Sequence, residues 1–297
     1  MTRQLDVTTT GGEPRVTSGE AKLTGGEDGR AGDDHRPDAW ARVRDLTPAR
    51  IGLGRHGAAQ PTSSKLSFAA AHAAARDAVH SGESGDFSEP SNGGDAGRLD
   101  SSDTESGLSF LADAPLVRSR AGNRPEYLRR PDLGRLPNGE DLSKLPTREA
   151  GWDVGIVMAD GLSPDALSYH GKATEEALRD AVHRICPELS IAPTVKANQA
   201  RVALGDHIAH AMNMRVVVVI IGERPGLSVP HSLGMYITYD ASPGTTDERR
   251  NCISNIHPPD GLSYEHAAFT AADLISKMLE LRKSGATVKA TRHAISS

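Results

Sequence analysis

The chain has 297 residues, a hydrophobic content of 37%, an aromatic content of 4% and a formal net charge of −5. This charge excludes the strongly basic surface of a nucleic-acid-binding domain, and no apolar run is long enough to span a bilayer. The low apolar content predicts that parts of the chain cannot bury enough surface to offset the entropy cost of ordering them.

The N-terminal region is predicted to combine a tail without structure and a helical segment. Residues 1–36 are rich in Gly, Thr, Asp and Glu and are predicted to be a disordered tail. Residues 37–80 are predicted to be an N-terminal helical region, with a short helix beginning within residues 38–43. Leu66–His80 is alanine-rich and follows the capping residues of segment 61–64, which predicts a second helix.

A linker and a connecting segment lead to the predicted main domain. Residues 81–107 contain seven acidic residues and one basic residue, a balance of −6, and are predicted to be a flexible acidic linker or insertion. Residues 108–150 are interpreted as a connecting segment. Residues 151–297 are predicted to form an α/β domain, because short apolar runs alternate there with helical patterns.

The first elements of this domain are two buried strands and a helix. Val216–Ile221 consists of six β-branched residues without a polar break, which is typical of a parallel strand covered by helices on both faces. Asp153–Met158 is predicted to be a second buried strand. Ser163 as N-cap and Pro164 at the first helical position predict a helix start, and a helix is expected over about Lys172–Cys186.

The remaining elements complete an alternating pattern. They are a weak strand at Pro193–Ala197, a helix at Ala200–Met212, a strand at Leu233–Tyr239 and a helix at Tyr264–Lys283, with Ser263 as its cap and Gly285 as its stop. The order β-α-β-α-β predicts an α/β fold with a small doubly wound, Rossmann-like sheet.

Two polar turns follow the predicted buried strands, at the end where open α/β sheets bind their ligands. They are residues 160–165 and Gly222–Gly226, and the second contains Glu223. Neither turn matches a Gly-rich phosphate-binding pattern. The alternative that both are ordinary strand-to-helix turns stays open, because such turns also require Gly and Pro.

The cysteines and histidines show no pattern of a known site. Cys186 and Cys252 lie 66 positions apart without a Cys-x-x-Cys or zinc spacing, which predicts no disulfide, no metal site and a reducing, cytoplasmic location. Cys252 could act as a nucleophile with His257, but such a cysteine is more often a small buried apolar residue. The 12 histidines have no metal-ligand spacing.

Five motifs occur in a fixed order along the chain. They are DLTPARIGLGR (45–55), YLRRPDLGR (127–135), MADGLSPDA (158–166), VIIGERPGL (219–227) and CISNIH (252–257). In this order they resemble the small (light) chain of ethanolamine ammonia-lyase, an adenosylcobalamin enzyme. The resemblance covers residues 38–80 and 108–292 and leaves out residues 1–36.

The resemblance implies a small subunit that is active only with a large subunit, in the radical conversion of ethanolamine to acetaldehyde and ammonia. It implies that Val202, Glu223 and Cys252 bind adenosylcobalamin, and that residues 151–297 form the cobalamin-binding domain. The substrate is expected to lie in the large subunit, so this chain supplies no catalytic residue. Asp206 and His207 lack the Asp-x-His-x-x-Gly spacing that replaces the cofactor's own base, so no side chain here is expected to bind cobalt.

Two other functions stay open from the sequence. One is a stand-alone α/β enzyme that acts on a small molecule at the strand ends, which would need a complete acid–base or phosphate-binding set. The other is a non-catalytic assembly or targeting subunit, in which residues 1–36 direct the enzyme to a bacterial microcompartment. Those residues lack the amphipathic pattern of such an address. The expected location is the cytoplasm, free or inside a microcompartment.

Overall fold

The computed structural model describes residues 62–80 and 111–291. The predictions for the tail 1–36, the helix at 38–43, the motif 45–55 and the linker 81–107 lie outside the described residues. In chain order the described elements are helix α1 (Thr62–His80), strand β1 (Leu116–Arg118), helix α2 (Arg124–Arg129), helix α3 (Gly139–Leu142), strand β2 (Trp152–Ala159), helix α4 (Pro164–Ile185), strand β3 (Val195–Asn198), helix α5 (Leu204–Ala211), strand β4 (Met214–Gly222), strand β5 (Leu233–Tyr239), strand β6 (Arg250–Ile256) and helix α6 (Tyr264–Leu281).

The strands form one six-stranded sheet in the order β1-β3-β2-β4-β5-β6. Strands β1 to β4 are parallel, and Val157 of β2 lies opposite Val219 of β4. The run β2-α4-β3-α5-β4 confirms the predicted β-α-β-α-β order and the α/β fold. Strand β1 comes from the segment 108–150 that the sequence interpretation treated as a connection.

Strands β5 and β6 extend the sheet in antiparallel orientation, which the sequence analysis did not predict. The connections before them are residues 223–232 and 240–249. Both are shorter than the roughly dozen residues that a parallel crossover requires. Each connection therefore returns the chain beside the strand that it has just left.

The central strands are buried on both faces, as predicted. On one face Ile156 and Val218 belong to a core that includes residues of α4 and α6, and on the other Val157 and Val219 belong to a core that includes residues of α5. None of these four side chains is more than 2% exposed. Burying a side chain of this size contributes roughly 1.5–3 kcal/mol, so these two cores are the main source of stability.

Helix α4 is longer than predicted. It runs without interruption from Pro164, so the start expected near Lys172 was wrong. Gly171 weakens the helical pattern in the sequence, but in the fold it allows close packing, since an added Cβ would lie 3.0 Å from Met158 Cε. Ser163 is the N-cap residue as predicted, although its Oγ donates to the Pro230 carbonyl at 3.3 Å instead of capping the helix.

Other boundaries differ by a few residues. The helix predicted at Ala200–Met212 is shorter, because residues 200–203 form the turn that leads from β3 into α5. Helix α6 ends at Leu281 and not near Gly285, because Arg282 takes a left-handed conformation with φ 54°. The strand predicted at Leu233–Tyr239 is confirmed, and the helix predicted from Leu66 begins four residues earlier.

Substitution of Ser263 by Ala is expected to lower the free energy of unfolding by about 1 kcal/mol. Ser263 Oγ accepts a hydrogen bond from the backbone N–H of His266 at 3.2 Å, which caps the first turn of α6. Thermal unfolding should show a decrease in Tm of about 3 °C. Ser263→Asn keeps a capping acceptor and should unfold like the wild type, whereas equal losses in both variants would contradict the capping role.

Candidate functional site

The crevice between the carboxyl ends of β2 and β4 is closed. Strands β3 and β4 lie on opposite sides of β2, so this is the point where open α/β sheets usually bind ligands. Leu162 N donates to the Gly222 carbonyl at 3.0 Å, and a Cβ added to Gly222 would lie 2.1 Å from the Ser163 carbonyl oxygen. The two polar turns therefore fill the crevice with their own backbone, which favours their interpretation as ordinary turns.

Asp160, the acidic residue at the end of β2, is used inside the fold. Its carboxylate accepts hydrogen bonds from the backbone N–H groups of Gly161, Gln199 and Ala200 at 2.8, 2.7 and 2.9 Å. Arg124 Nη1 lies 3.8 Å away, and burial raises the pKa of Asp160. The carboxylate joins the end of β2 to the turn after β3, which is a structural role.

A cavity of about 480 Å³ lies beside the antiparallel part of the sheet. Helix α5 has only eight residues and packs over β4, where a Cβ added to Gly205 would lie 2.3 Å from Val219 Cγ2. The same face of β5 and β6 stays open next to α5, and this open face forms one side of the cavity. The lining residues include Arg135, Arg201, Val202, Tyr236, Arg250 and Cys252.

Two of the three predicted cofactor-binding residues line this cavity. Val202 lies in the turn before α5, and Cys252 lies on β6, 50 positions further along the chain. Glu223, directly after β4, is not a lining residue. Its Oε2 accepts hydrogen bonds from Ser232 Oγ at 2.9 Å and from Asn255 N at 3.3 Å. The carboxylate thus holds the segment after β4 against the end of β6, beside the cavity.

Tyr236 is a lining residue that the sequence prediction missed. It lies opposite Cys252 in the register of β5 and β6, and its hydroxyl and the thiol form a hydrogen bond. Burial raises the pKa of Tyr236 to about 12, and burial together with the charge of Glu223 raises the pKa of the Cys252 thiol. Both groups are therefore protonated at neutral pH. The alternation of Tyr236 with Met235 and Ile237 was the signal that could have identified it.

The hypothesis of a nucleophile formed by Cys252 and His257 is not supported. His257 Nε2 lies 2.8 Å from Asn255 Oδ1, while the thiol is bonded to Tyr236. A thiol that stays protonated is a poor nucleophile. The alternative of a buried apolar cysteine was also wrong, because Cys252 is exposed. Within residues 62–80 and 111–291, no three His, Cys, Asp or Glu side chains converge as a metal site.

A buried ion pair forms one wall of the cavity. Arg250 Nη1 and Nη2 donate to Asp206 Oδ1 and Oδ2 at 2.6 and 2.8 Å, and neither side chain is more than 3% exposed. Asp206 lies in the first turn of α5 and Arg250 is the first residue of β6, so the pair joins the helix to the antiparallel strands. The partners are 44 positions apart, and no local pattern indicates the pair.

Tyr127 lies between two guanidinium groups next to the cavity. Arg124 and Arg201 stack on its ring at 4.8 and 4.5 Å from the centroid, and its hydroxyl donates to the Ala200 carbonyl at 2.9 Å. Gly134 leaves the space for this arrangement, since an added Cβ would lie 2.8 Å from Tyr127 Cε2 and 3.0 Å from Arg201 Cγ. The stack fixes Arg201 at the edge of the cavity.

Comparisons with known proteins agree on one family. A family model described as "Ethanolamine ammonia-lyase light chain (EutC)" matches residues 37–289. The chain is 47% identical over 259 residues to an "Ethanolamine ammonia-lyase small subunit" from Rhodococcus erythropolis, a match that covers 86% of this chain and 92% of the relative. Relatives of the same description from Rhodopseudomonas palustris and Xanthomonas campestris pv. campestris are 45% and 42% identical, over 83% and 85% of this chain and 88% of each relative.

Proposed function

The chain belongs to the ethanolamine ammonia-lyase light-chain family, and from this we propose that its cavity forms one wall of an adenosylcobalamin site that a large subunit completes. The observation that carries the proposal is the position of Val202 and Cys252, which are distant in sequence and line one cavity. The words "light chain" and "small subunit" in the names of the relatives support the existence of a larger partner.

The residues of the cavity fit a corrinoid. A corrin ring is apolar on its faces and carries amide side chains at its edge. Val202 and Ala203 offer small apolar surface, while the Tyr236 hydroxyl and Cys252 thiol offer hydrogen-bonding groups to such amides. The Nε atom of Arg201 is buried without a partner, so this cavity contains a donor that a polar ligand can satisfy.

The size of the cavity supports a shared site. A volume of about 480 Å³ lies in the range of pockets for drug-sized ligands, and a corrinoid is much larger than such a ligand. This chain alone would therefore cover only part of the cofactor. We assign the rest of the enclosure to the large subunit.

The role of this chain is to bind and orient, and not to transfer protons. Adenosylcobalamin, when bound, supplies a carbon-centred radical by homolysis of its cobalt–carbon bond. The Tyr236 hydroxyl and Cys252 thiol keep their protons at neutral pH, as their raised pKa values require. Glu223 holds the segment after β4 in place and lies close to both groups. We therefore place the ethanolamine site in the large subunit and assign no catalytic residue to this chain.

Release of ammonia and acetaldehyde from ethanolamine tests this proposal. With adenosylcobalamin present, the chain co-purified with its large subunit should be active, and each chain alone should be inactive. Adenosylcobalamin should bind measurably to the pair. Activity of this chain alone would contradict the proposal and would support a stand-alone enzyme, although the closed crevice at β2 and β4 gives such an enzyme no evident site.

The location of the enzyme is part of the proposal. In the described ranges, no helix combines the length and apolarity needed to cross a bilayer. We place the two-chain enzyme in the cytoplasm, either free or in a microcompartment. Deletion of residues 1–36 separates these cases, because packaging that depends on the tail would be lost without loss of ethanolamine turnover.

A further inference from the structure

Arg201 has no ionic partner. It lines the cavity beside Val202, and among residues 62–80 and 111–291 no carboxylate lies within ion-pair distance of its guanidinium group. Its Nε atom is buried without a hydrogen-bond partner. A buried donor of a charged group that is left unsatisfied is costly, which is an unusual feature unless a ligand satisfies it.

The other charged residues of the cavity neutralise one another. Arg250 is paired with Asp206 at 2.6 Å and with Asp247 at 3.2 Å, and Arg135 is paired with Asp247 at 3.3 Å. Of the cations that line the cavity, Arg201 is therefore the one whose charge the described residues leave uncompensated.

The surroundings of Arg201 hold it in position and increase its demand for an anion. Its backbone N–H donates to the Gly134 carbonyl at 2.8 Å, and its guanidinium stacks on Tyr127. Arg124 lies on the same ring, and its pKa is lowered by burial and also by the charge of Arg201. Asp160 faces Arg124. Two guanidinium groups thus repel each other across Tyr127, and an anion in the cavity would reduce that repulsion.

We propose that Arg201 is the anion-binding residue of the cavity and that it binds the phosphodiester of the cobalamin nucleotide loop. This inference rests on the proposed function, because it takes adenosylcobalamin as the ligand. A guanidinium group is well suited to a phosphate ester, to which it can donate two parallel charge-assisted hydrogen bonds. The phosphodiester is the anionic group of cobalamin, whose ring edge carries neutral amides.

The test compares two corrinoids in the complex of both chains. Adenosylcobinamide lacks the nucleotide loop and its phosphodiester but keeps the corrin ring and the adenosyl group. Arg201→Met should raise the Kd of adenosylcobalamin by about 10- to 100-fold and should change the Kd of adenosylcobinamide by less than about threefold. Arg201→Lys keeps the positive charge and should recover part of the lost affinity for adenosylcobalamin.

Arg148→Met is the matched control. Arg148 is also stacked on an aromatic ring, that of Trp152 at 5.0 Å, but it does not line the cavity. The same loss of charge and stacking at this position should leave both Kd values unchanged. A loss of cobalamin affinity in this variant would mean that net charge, and not the position of Arg201, determines binding.

Three results would overturn the inference. Equal losses for both corrinoids in Arg201→Met would show that Arg201 supports the corrin ring, and unchanged affinity for adenosylcobalamin would show that Arg201 has no role in binding. Weaker association of the two chains without any cofactor would assign Arg201 to a carboxylate of the large subunit. Absence of corrinoid binding by the wild-type complex would instead refute the proposed function itself.

Discussion

Replacing Cys252 with Trp is expected to weaken adenosylcobalamin binding by the two-chain complex by about 100-fold. Cys252 lines the cavity from the open face of β6, and an indole ring there would occupy space that the cofactor requires. The fold should tolerate the change, because Cys252 is exposed and aromatic residues are favoured in strands. The measurement is the Kd for adenosylcobalamin, together with the Tm of the complex without cofactor.

Cys252→Ala separates the effect of size from that of the thiol. Alanine keeps the cavity open and removes only a weak hydrogen-bonding group, so the loss of affinity should be no more than a few-fold. The opposite order, a larger loss with Ala than with Trp, would mean that the thiol itself is the essential contact. Unchanged affinity in Cys252→Trp would place the cofactor elsewhere on the chain.

Replacing Arg250 with Met is expected to lower the free energy of unfolding by about 3–5 kcal/mol. The substitution leaves the Asp206 carboxylate buried without the two hydrogen bonds that it now accepts at 2.6 and 2.8 Å. The decrease in Tm should be about 10 °C. Because the pair joins α5 to β6 across the cavity, cofactor affinity should fall in parallel.

The destabilisation should depend on pH. Burial raises the pKa of Asp206 above its value of about 3.9 in the unfolded chain. Without Arg250 the folded state takes up a proton as the pH falls through this raised pKa, and the cost of the unpaired charge disappears. Urea unfolding should therefore show the full loss near pH 7 and a smaller loss near pH 5.

Two further variants identify the cause of the destabilisation. Arg249→Met removes the neighbouring exposed arginine and should change stability by no more than about 0.5 kcal/mol. The double variant Asp206→Leu with Arg250→Met replaces the pair with apolar side chains and should recover most of the loss, because no buried charge remains. A double variant as unstable as the single one would show that packing, and not charge, accounts for the effect.

Local patterns predicted the parts of the fold that depend on local physics. Unbroken β-branched residues in β4 indicated burial on both faces, and Ser163 with Pro164 located the start of α4. Both depend on the immediate neighbours of a residue and on the period of its pattern. Where a packing contact changed the pattern, as Gly171 does in α4, the predicted boundary was wrong.

The candidate site was predictable only in part, and for the same reason. The turns after β2 and β4 were correctly placed at strand ends, but the sequence could not show that the backbones of Gly161 and Gly222 close that crevice. Val202 and Cys252 came from the family resemblance. That they share a cavity follows from the register of β5 with β6 and from the short length of α5.

The chain's own sequence therefore determines the types of its elements, their order and the faces that they bury, since these depend on residues within one or two turns of each other. Tertiary packing determines the antiparallel orientation of β5 and β6, the pairing of Asp206 with Arg250 and the contact of Tyr236 with Cys252. These contacts join residues that are 16 to 44 positions apart. Their free energy exists only after the sheet has brought the partners together, so no local pattern in the sequence can indicate them.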